Sequence, residues 1–190
     1  MSKGLLIILS GPSGVGKGTV REYIVKTGKV DLAYSVSMTT REPRKGERNG
    51  VDYYFVSEEE FERNIEENNF LEWNCFVKNK YGTPKDKVLS LLDQGKNVFL
   101  EIDINGASQV LNNYKGDNLI TFYLMPPSMK TLENRIRNRH TEDENTIKLR
   151  LDKASTEMKQ AKMYDYVIIN DRITRAGDEI IEHLLEKTQR

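Results

Sequence analysis

The fold class expected for this chain of 190 residues follows from the stretch Leu5-Leu-Ile-Ile-Leu9-Ser-Gly11-Pro-Ser-Gly-Val-Gly-Lys17-Gly-Thr19. Its first five residues form an uninterrupted apolar run, the pattern of a strand buried on both faces of a parallel sheet. The glycine-rich segment that follows matches G-x-x-x-x-G-K, in which backbone N–H groups surround an anion and the lysine reaches the terminal phosphates. The expected phosphate-binding residues are Gly11, Pro12, Ser13, Gly14, Val15, Gly16, Lys17, Gly18 and Thr19. An ordinary glycine-rich turn at a strand end is the alternative interpretation, and the order strand, loop, helix favours the phosphate loop.

One position departs from the usual pattern of such a loop. The residue after the lysine is ordinarily Ser or Thr, whose hydroxyl binds Mg²⁺, whereas this chain has Gly18 there. Thr19 supplies the nearest hydroxyl. The sequence leaves open whether Thr19 or a water molecule takes the place of the missing ligand.

Other apolar runs predict further strands of the same sheet, at residues 97–102, 119–125 and 166–169. Helical patterns lie between them. One begins at Lys17, and another covers residues 83–94, with Thr83 as N-cap and Pro84 in the first helical position. The last helix carries Ile173, Ile180, Ile181, Leu184 and Leu185. Alternating strands and helices predict an α/β fold with a parallel sheet and helices on both faces.

Two stretches interrupt that alternation. Residues 35–82 are polar and predict short strands plus one helix, opened by the capping box Ser57-x-x-Glu60. Residues 128–162 predict two helices, the second opened by Thr141-x-x-Glu144. Because the chain has no internal repeat and no long Pro/Gly/Ser linker, we expect one domain that carries two insertions.

The composition excludes several classes of protein. The chain is 37% hydrophobic and 31% charged, and its 29 basic and 29 acidic side chains cancel. A bulk binder of nucleic acid or of an anionic membrane would be net basic, although a local anion site remains compatible with this balance. The single cysteine allows no intramolecular disulfide, and the N-terminal apolar run is too short for a signal peptide. We therefore expect a cytoplasmic protein whose mature chain starts at or near Met1.

A second candidate anion site lies in the segment Ser35-Val-Ser37-Met-Thr-Thr-Arg41-Glu-Pro-Arg44-Lys-Gly-Glu-Arg48. Its basic side chains suit a loop that binds a phosphate through guanidinium groups. A solvated charged loop is the alternative. The run Tyr53-Tyr54-Phe55 favours the binding loop, because a solvated loop does not require aromatic side chains.

These segments resemble the guanylate kinase family. The resemblance extends in order from about residue 4 to 188 through Phe70-Leu-Glu72-Trp73, Tyr81-Gly82-Thr83, Glu101-Ile-Asp103-x-x-Gly106 and Val167-Ile-Ile-Asn170-Asp171. It implies a P-loop NTPase-type parallel sheet flanked by helices, with a small mixed α/β insertion for GMP and a helical lid. The boundaries we expect are a core of residues 1–34, 84–125 and 163–190, a GMP-binding insertion of residues 35–83, and a lid of residues 126–162. In this family a glycine after the loop lysine is not unusual.

The resemblance also implies the reaction and its participants. ATP would donate its γ-phosphoryl group to GMP or dGMP, with Mg²⁺ as cofactor, in purine nucleotide metabolism and GMP recycling. The protein would be a monomer or homodimer that binds neither nucleic acid nor membrane. The transition state of such a transfer is loose, so catalysis depends on positioning and positive charge rather than on a nucleophilic side chain.

On the acceptor side, the resemblance assigns a set of residues to GMP. Most surround its phosphate, Glu72 would accept the adjacent N1–H and N2–H donors of guanine, and Ser37 or Thr83 would donate to O6. The assigned residues are Ser37, Arg41, Arg44, Tyr53, Glu72, Tyr81, Gly82, Thr83 and Asp103. Glu72 and Trp73 lie on opposite faces of a strand, so that one can meet ligand while the other packs. Taken alone, without the resemblance, Glu72 is interpreted as a surface glutamate.

On the donor side, the resemblance assigns positively charged side chains to the binding of the ATP phosphates. Its catalytic residues are Lys17, Arg41, Arg135, Arg139 and Arg150, of which the last three would come from the lid. Arg135 and Arg139 are four positions apart and share a helix face. A solvated basic face is the alternative for these arginines. Asn170 and Asp171 resemble the adenine-side loop.

Asp103 follows the predicted strand at residues 97–102, where an acidic group would face Mg²⁺ or its waters together with Thr19. Glu101 points the same way and is a weaker candidate. A structural role at the strand end is the alternative for both.

Two rival functions stay open at this point. A scaffold domain that binds phosphorylated peptides would need neither Lys17 nor the lid arginines nor Asp103, and this chain has them all. A kinase for another acceptor would not need Glu72 together with a hydroxyl donor for guanine.

Overall fold

The computed structural model describes residues 3–76, 78–138 and 143–188. Within them lie nine strands, seven α-helices and a 3-10 turn at Ala161–Met163. The strands are β1 (Leu6–Ser10), β2 (Leu32–Tyr34), β3 (Met38–Thr39), β4 (Tyr54–Phe55), β5 (Phe70–Phe76), β6 (Asn79–Pro84), β7 (Asn97–Glu101), β8 (Leu119–Met125) and β9 (Tyr166–Ile169). The helices are α1 (Lys17–Thr27), α2 (Glu58–Glu66), α3 (Lys85–Asp93), α4 (Ile104–Asn113), α5 (Met129–Arg137), α6 (Glu144–Met158) and α7 (Ile173–Thr188).

The larger sheet has five parallel strands in the order β2-β7-β1-β8-β9 and is flanked by helices. Its central strand β1 is buried along its whole length, as the apolar run predicted. Hydrogen bonds from Val98 N to Leu5 O (2.8 Å) and from Ile102 N to Leu9 O (3.3 Å) accompany the pairing of β7 with β1. The predicted α/β class is confirmed.

The smaller sheet has the order β4-β3-β6-β5, in which β6 runs antiparallel to both of its neighbours. Beneath it, Phe61 of α2 stacks on Phe70 with ring centroids 4.6 Å apart, and Met38 completes this small core. Ser57 caps α2 by accepting a hydrogen bond from Glu60 N (3.1 Å). The short strands and capped helix predicted for residues 35–82 are therefore present.

Contacts within the chain group it into two compact units. The first comprises Met1–Leu6, Ala33–Phe99 and Asn105–Asn118, and it contains the smaller sheet with α2 and α3. The second comprises Ile7–Leu32, Leu100–Ile104 and Leu119–Arg190. In the second unit α1 packs on α7 so closely that a Cβ atom at Gly177 would lie 2.3 Å from the Tyr23 ring. The Tyr23 hydroxyl donates to Asp178 (3.1 Å) across the same contact.

Two predicted helix starts are wrong. The helix expected from Thr83 begins at Lys85, with Pro84 as its N-cap, because Thr83 is still paired with Glu72 in the smaller sheet. The helix expected to open at a Thr141 capping box begins at Glu144, because Asp143 is its N-cap and accepts from Thr146 N (2.9 Å). Thr141 itself lies outside the described residues.

None of the helices in the described ranges is long and apolar enough to cross a membrane.

Candidate active site

The phosphate loop connects β1 to α1, as the sequence predicted. Two of its glycines are required by close contacts. At Gly16, where φ is 102°, a Cβ atom would lie 2.8 Å from Asn170 Nδ2, and at Gly11, where φ is 148°, it would lie 2.4 Å from Leu124 O. No acidic side chain lies in the first turn of α1. The start of α1 therefore combines a helix N-terminus with a closely packed glycine loop, which suits an anion.

Lys17 is the first residue of α1 and is folded back over this loop. Its ammonium donates hydrogen bonds to Gly11 O (2.7 Å) and Pro12 O (3.3 Å). The loop's own carbonyl groups thus hold a partly buried positive charge at the start of the helix.

Arg135 of α5 ties the phosphate loop to the end of β9. Its guanidinium donates to Val15 O (3.0 Å) and to Asn170 O (2.8 Å). Asn170 is buried, and its side-chain amide donates to Val15 O as well (2.8 Å). Arg135 and Asn170, both predicted from the sequence as site residues, are therefore brought together at the backbone of the loop.

We expect Arg135→Ala to lower the free energy of unfolding by about 2 kcal/mol, because it removes two hydrogen bonds from a charged donor to partly buried carbonyl groups. Urea denaturation of the purified variant measures this change. The matched control is Lys130→Ala, which removes an exposed positive charge from the same helix and is expected to change the free energy by less than about 0.5 kcal/mol. Equal effects of the two substitutions would contradict the bridging contact.

The other arginines within residues 126–162 differ in their surroundings. Arg150 of α6 reaches Ser13 in the phosphate loop, with Nη1 3.5 Å from Oγ. Arg137 bonds instead to Glu133 (2.8 Å) and to Glu144, and these carboxylates raise the pKa of its guanidinium. Arg139 lies outside the described residues.

Asp171 is engaged by a neighbouring helix. Its carboxylate accepts from Arg175 Nε (2.6 Å) and from Arg172 N (2.7 Å), and the pKa of the carboxyl group is lowered by these bonds. The side chain thus holds the start of α7 while staying partly exposed, and the adenine-side role of Asn170 and Asp171 stays a prediction.

The acidic side chains near the phosphate loop differ in their partners and in their exposure. Glu101, at the end of β7, pairs with Arg21 of α1, with Nη1 3.2 Å from Oε2. A Cβ atom at Gly18 would lie 3.6 Å from Glu101 Oε1, an ordinary contact distance. Asp103 and Thr19 are both exposed. Across residues 3–76, 78–138 and 143–188, no group of three or more His, Cys, Asp or Glu side chains forms a metal site.

In the first unit, three of the residues assigned to the GMP phosphate come together. The Arg41 guanidinium lies 5.5 Å from the centre of the Tyr53 ring and 5.7 Å from that of Phe55. The Tyr53 and Tyr81 rings meet edge to face at 6.1 Å. Glu47 accepts a hydrogen bond from Arg41 Nη2 (2.9 Å), and this bond is the main reason that the pKa of Arg41 is raised. Arginine and tyrosine donors thus form one cluster.

Two other residues assigned to GMP lie on the same segment. Arg44 is exposed, and Ser37 is partly buried beside β4, where its carbonyl accepts from Tyr54 N (2.9 Å).

The residues assigned to guanine lie on β5 and β6. Glu72 is paired with Thr83 across these strands, and the Thr83 hydroxyl donates a hydrogen bond to its carboxylate. Gly82 is a packing position, since a Cβ atom there would lie 2.7 Å from the Phe70 ring. Trp73 was expected to pack on the opposite face, but 36% of it is exposed.

A family model described as guanylate kinase matches residues 3–188. The chain belongs to the guanylate kinase family. The P-loop fold implied by the resemblance is thereby confirmed.

Individual members of the guanylate kinase family are similar over nearly the whole chain. The guanylate kinase of Aster yellows witches'-broom phytoplasma (strain AYWB) is 49% identical over 179 residues, which cover 94% of this chain and 84% of that protein. The guanylate kinase of Malacoplasma penetrans (strain HF-2) is 45% identical over 185 residues, which cover 97% of this chain and 94% of that protein. The crystal structure of guanylate kinase from Anaplasma phagocytophilum superposes with a TM-score of 0.73 at 32% identity, covering 100% of this chain and 89% of that chain.

Sequence reasoning missed two residues of this guanylate kinase fold. Gln109 of α4 holds β5 by accepting from Trp73 N (3.0 Å) and donating to Trp73 O (2.9 Å), and no local pattern predicts a contact 36 positions away. Glu47, the partner of Arg41, follows Arg44 by three residues with Gly46 between them. That spacing is typical of a turn, so the sequence could have predicted that Glu47 lies close to Arg44.

Proposed function

We propose that this protein transfers the γ-phosphoryl group of ATP to GMP, giving ADP and GDP. The observation that carries the proposal is the Lys17 ammonium held over a glycine loop at the start of α1, in a chain that belongs to the guanylate kinase family from residue 3 to 188. The family supports a kinase that binds nucleotides. The residue roles that follow are part of the proposal.

On the donor side, ATP phosphates would replace the carbonyl oxygens of Gly11 and Pro12 as partners of Lys17. Backbone N–H groups of residues 13–19 would surround the phosphates, and Arg135, Arg139 and Arg150 would add positive charge from the lid. Arg150 already reaches Ser13 of the loop. Because a loose transition state spreads negative charge over the transferred oxygens, this positive charge is the main catalytic contribution of the protein.

On the acceptor side, Arg41, Arg44, Tyr53 and Tyr81 would bind the phosphate of GMP. Glu72 would accept the N1–H and N2–H donors of guanine, which adenine lacks. Thr83 has one hydroxyl proton and donates it to Glu72, so it orients the carboxylate, and Ser37 becomes the donor for O6. Gly82 contributes by packing. Since Glu72 would read the base and not the sugar, we include dGMP as an acceptor.

The residues present fit Mg²⁺ held largely through water. Gly18 provides no hydroxyl ligand, but its missing side chain leaves space in front of the Glu101 carboxylate, and Mg²⁺ commonly keeps several waters beside substrate phosphates. Thr19 and Asp103 are the protein groups we assign to this hydrated ion. When bound, Mg²⁺ would neutralise charge on the ATP phosphates.

We also propose the functional division expected from the sequence: a core of residues 1–34, 84–125 and 163–190, a GMP-binding insertion of residues 35–83 and a lid of residues 126–162. The protein would act in the cytoplasm as a monomer or homodimer, returning GMP to the pool of nucleoside diphosphates.

The proposal is tested by an assay of ADP release with ATP, Mg²⁺ and each of GMP, dGMP, AMP, UMP and CMP. We expect GMP to give the highest kcat/KM, about 10³-fold or more above AMP, because the site for guanine leaves Glu72 unpaired with adenine. Chelation of Mg²⁺ is expected to abolish the reaction, and added Mg²⁺ to restore it. Preference for another acceptor would support the rival kinase, and inactivity with every acceptor would support a binding domain.

A further inference from the structure

We propose that Glu47 is a positioning residue for the acceptor phosphate: it holds the Arg41 guanidinium and the Arg44 backbone in place before GMP binds. This inference rests on the proposed function, because it takes Arg41 as a phosphate ligand. It adds a residue that the sequence analysis assigned to neither nucleotide.

The first argument is that one carboxylate joins two positions of the proposed phosphate site. Glu47 Oε1 accepts from Arg41 Nη2 (2.9 Å), and Glu47 Oε2 accepts from Arg44 N (2.7 Å). The backbone N–H of Glu47 in turn donates to Arg44 O (3.0 Å), which closes the turn through Gly46 at a φ of 95°. Displacing the carboxylate would therefore open the loop as well as release the arginine.

The second argument is that Arg41 is fixed but keeps donors available. Its side chain is only 14% exposed, its Nη1 donates to Glu42 O (2.7 Å), and the Tyr53 ring lies beside it. A guanidinium has five N–H donors, so these bonds do not exhaust it. Fixing a long side chain before the ligand arrives removes an ordering cost from binding. The pair thus prepares Arg41 for an incoming phosphate.

The charge of Glu47 is constant under assay conditions. The hydrogen bond from Arg41, followed by that from Arg44 N, lowers the pKa of the Glu47 carboxyl group. The stabilising contribution of a carboxylate with a lowered pKa is complete above its ordinary pKa and is lost as the pH falls through the lowered value. At neutral pH the carboxylate is ionised and the pair is intact.

The effect of Glu47→Gln on GMP binding shows whether Glu47 positions Arg41 or competes with the phosphate for it. If Glu47 positions Arg41, Glu47→Gln should raise both the KM and the Kd for GMP by about tenfold, while the KM for ATP stays within about twofold. If Glu47 merely occupied the phosphate site, the same substitution would make GMP bind more tightly. The matched control is Glu42→Gln, which removes an exposed carboxylate from the same loop and is expected to leave every constant within about twofold.

A double-mutant cycle tests whether Glu47 acts through Arg41. Calorimetric titration with GMP is carried out on the wild type, Glu47→Gln, Arg41→Ala and the double variant. We expect Glu47→Gln to change the Kd for GMP by less than about twofold once Arg41 is absent.

An unchanged or tighter GMP affinity of Glu47→Gln would overturn the inference, as would a full tenfold effect in the Arg41→Ala background. A wild-type protein that binds no GMP would overturn the proposed function instead. If Glu47→Gln does not fold, Glu47→Asp replaces it in the test. Because the shorter side chain keeps a carboxylate, we expect Glu47→Asp to weaken GMP binding by less than Arg41→Ala does. Equal or greater weakening would contradict positioning.

Discussion

Replacing Lys17 by alanine is expected to lower kcat for phosphoryl transfer by about 10³-fold, because it removes the preorganised positive charge nearest the terminal phosphates. The folded structure should survive, since the two bonds lost, to Gly11 O and Pro12 O, are only partly buried and alanine is a good helix former at the start of α1. Steady-state kinetics with saturating ATP and GMP measure the loss, and thermal unfolding checks the fold.

The matched control for Lys17→Ala is Lys26→Ala, which removes an exposed lysine from the last turn of the same helix. Its kcat should stay within about twofold of the wild type. A Lys17→Ala variant that keeps most of the wild-type activity would refute the phosphate role of the loop.

The second large effect is expected at the guanine site. Glu72→Gln should lower kcat/KM for GMP by about 10³-fold, because the amide NH₂ would face the N1–H and N2–H donors of the base and leave buried polar groups unpaired. The KM for ATP should not change. The variant should remain folded, since the glutamine side-chain oxygen can still accept the hydrogen bond that Thr83 donates to Glu72.

Glu66→Gln is the matched control at the guanine site, because Glu66 is an exposed glutamate at the end of α2 in the same unit. Both kinetic constants for GMP should be unaffected. If Glu72→Gln and Glu66→Gln gave the same kcat/KM for GMP, Glu72 would be the surface glutamate of the alternative interpretation.

Features with a local cause could be predicted from the sequence. The apolar run that became β1 and the glycines that follow it are consecutive, and the pattern of residues 119–125 defined β8 to the residue. The helix start expected at Thr83 failed because a longer-range partner competed. Thr83 is a good N-cap by type, but its hydroxyl is used across the sheet by Glu72, which is 11 positions away.

The geometry of the arginines could not be predicted in this way. The resemblance assigns Arg135 to the ATP phosphates, yet in the structure its guanidinium donates to Val15 O and Asn170 O, the first of them 120 positions away. The bond between Asp171 and Arg175 spans only four positions on a helix start, so it was predictable in principle from spacing. Composition does not reveal which charged side chains are bonded to other groups of the protein and which face solvent.

The most direct test of phosphoryl transfer from ATP to GMP follows the transferred group itself. The protein is incubated with Mg²⁺, GMP and ATP that carries a label only in the γ-phosphate, and the products are separated by chromatography. Transfer to GMP predicts that the label appears in the β-phosphate of GDP in step with the formation of unlabelled ADP. Label recovered as inorganic phosphate, or label that stays in ATP while GMP is unchanged, would contradict it.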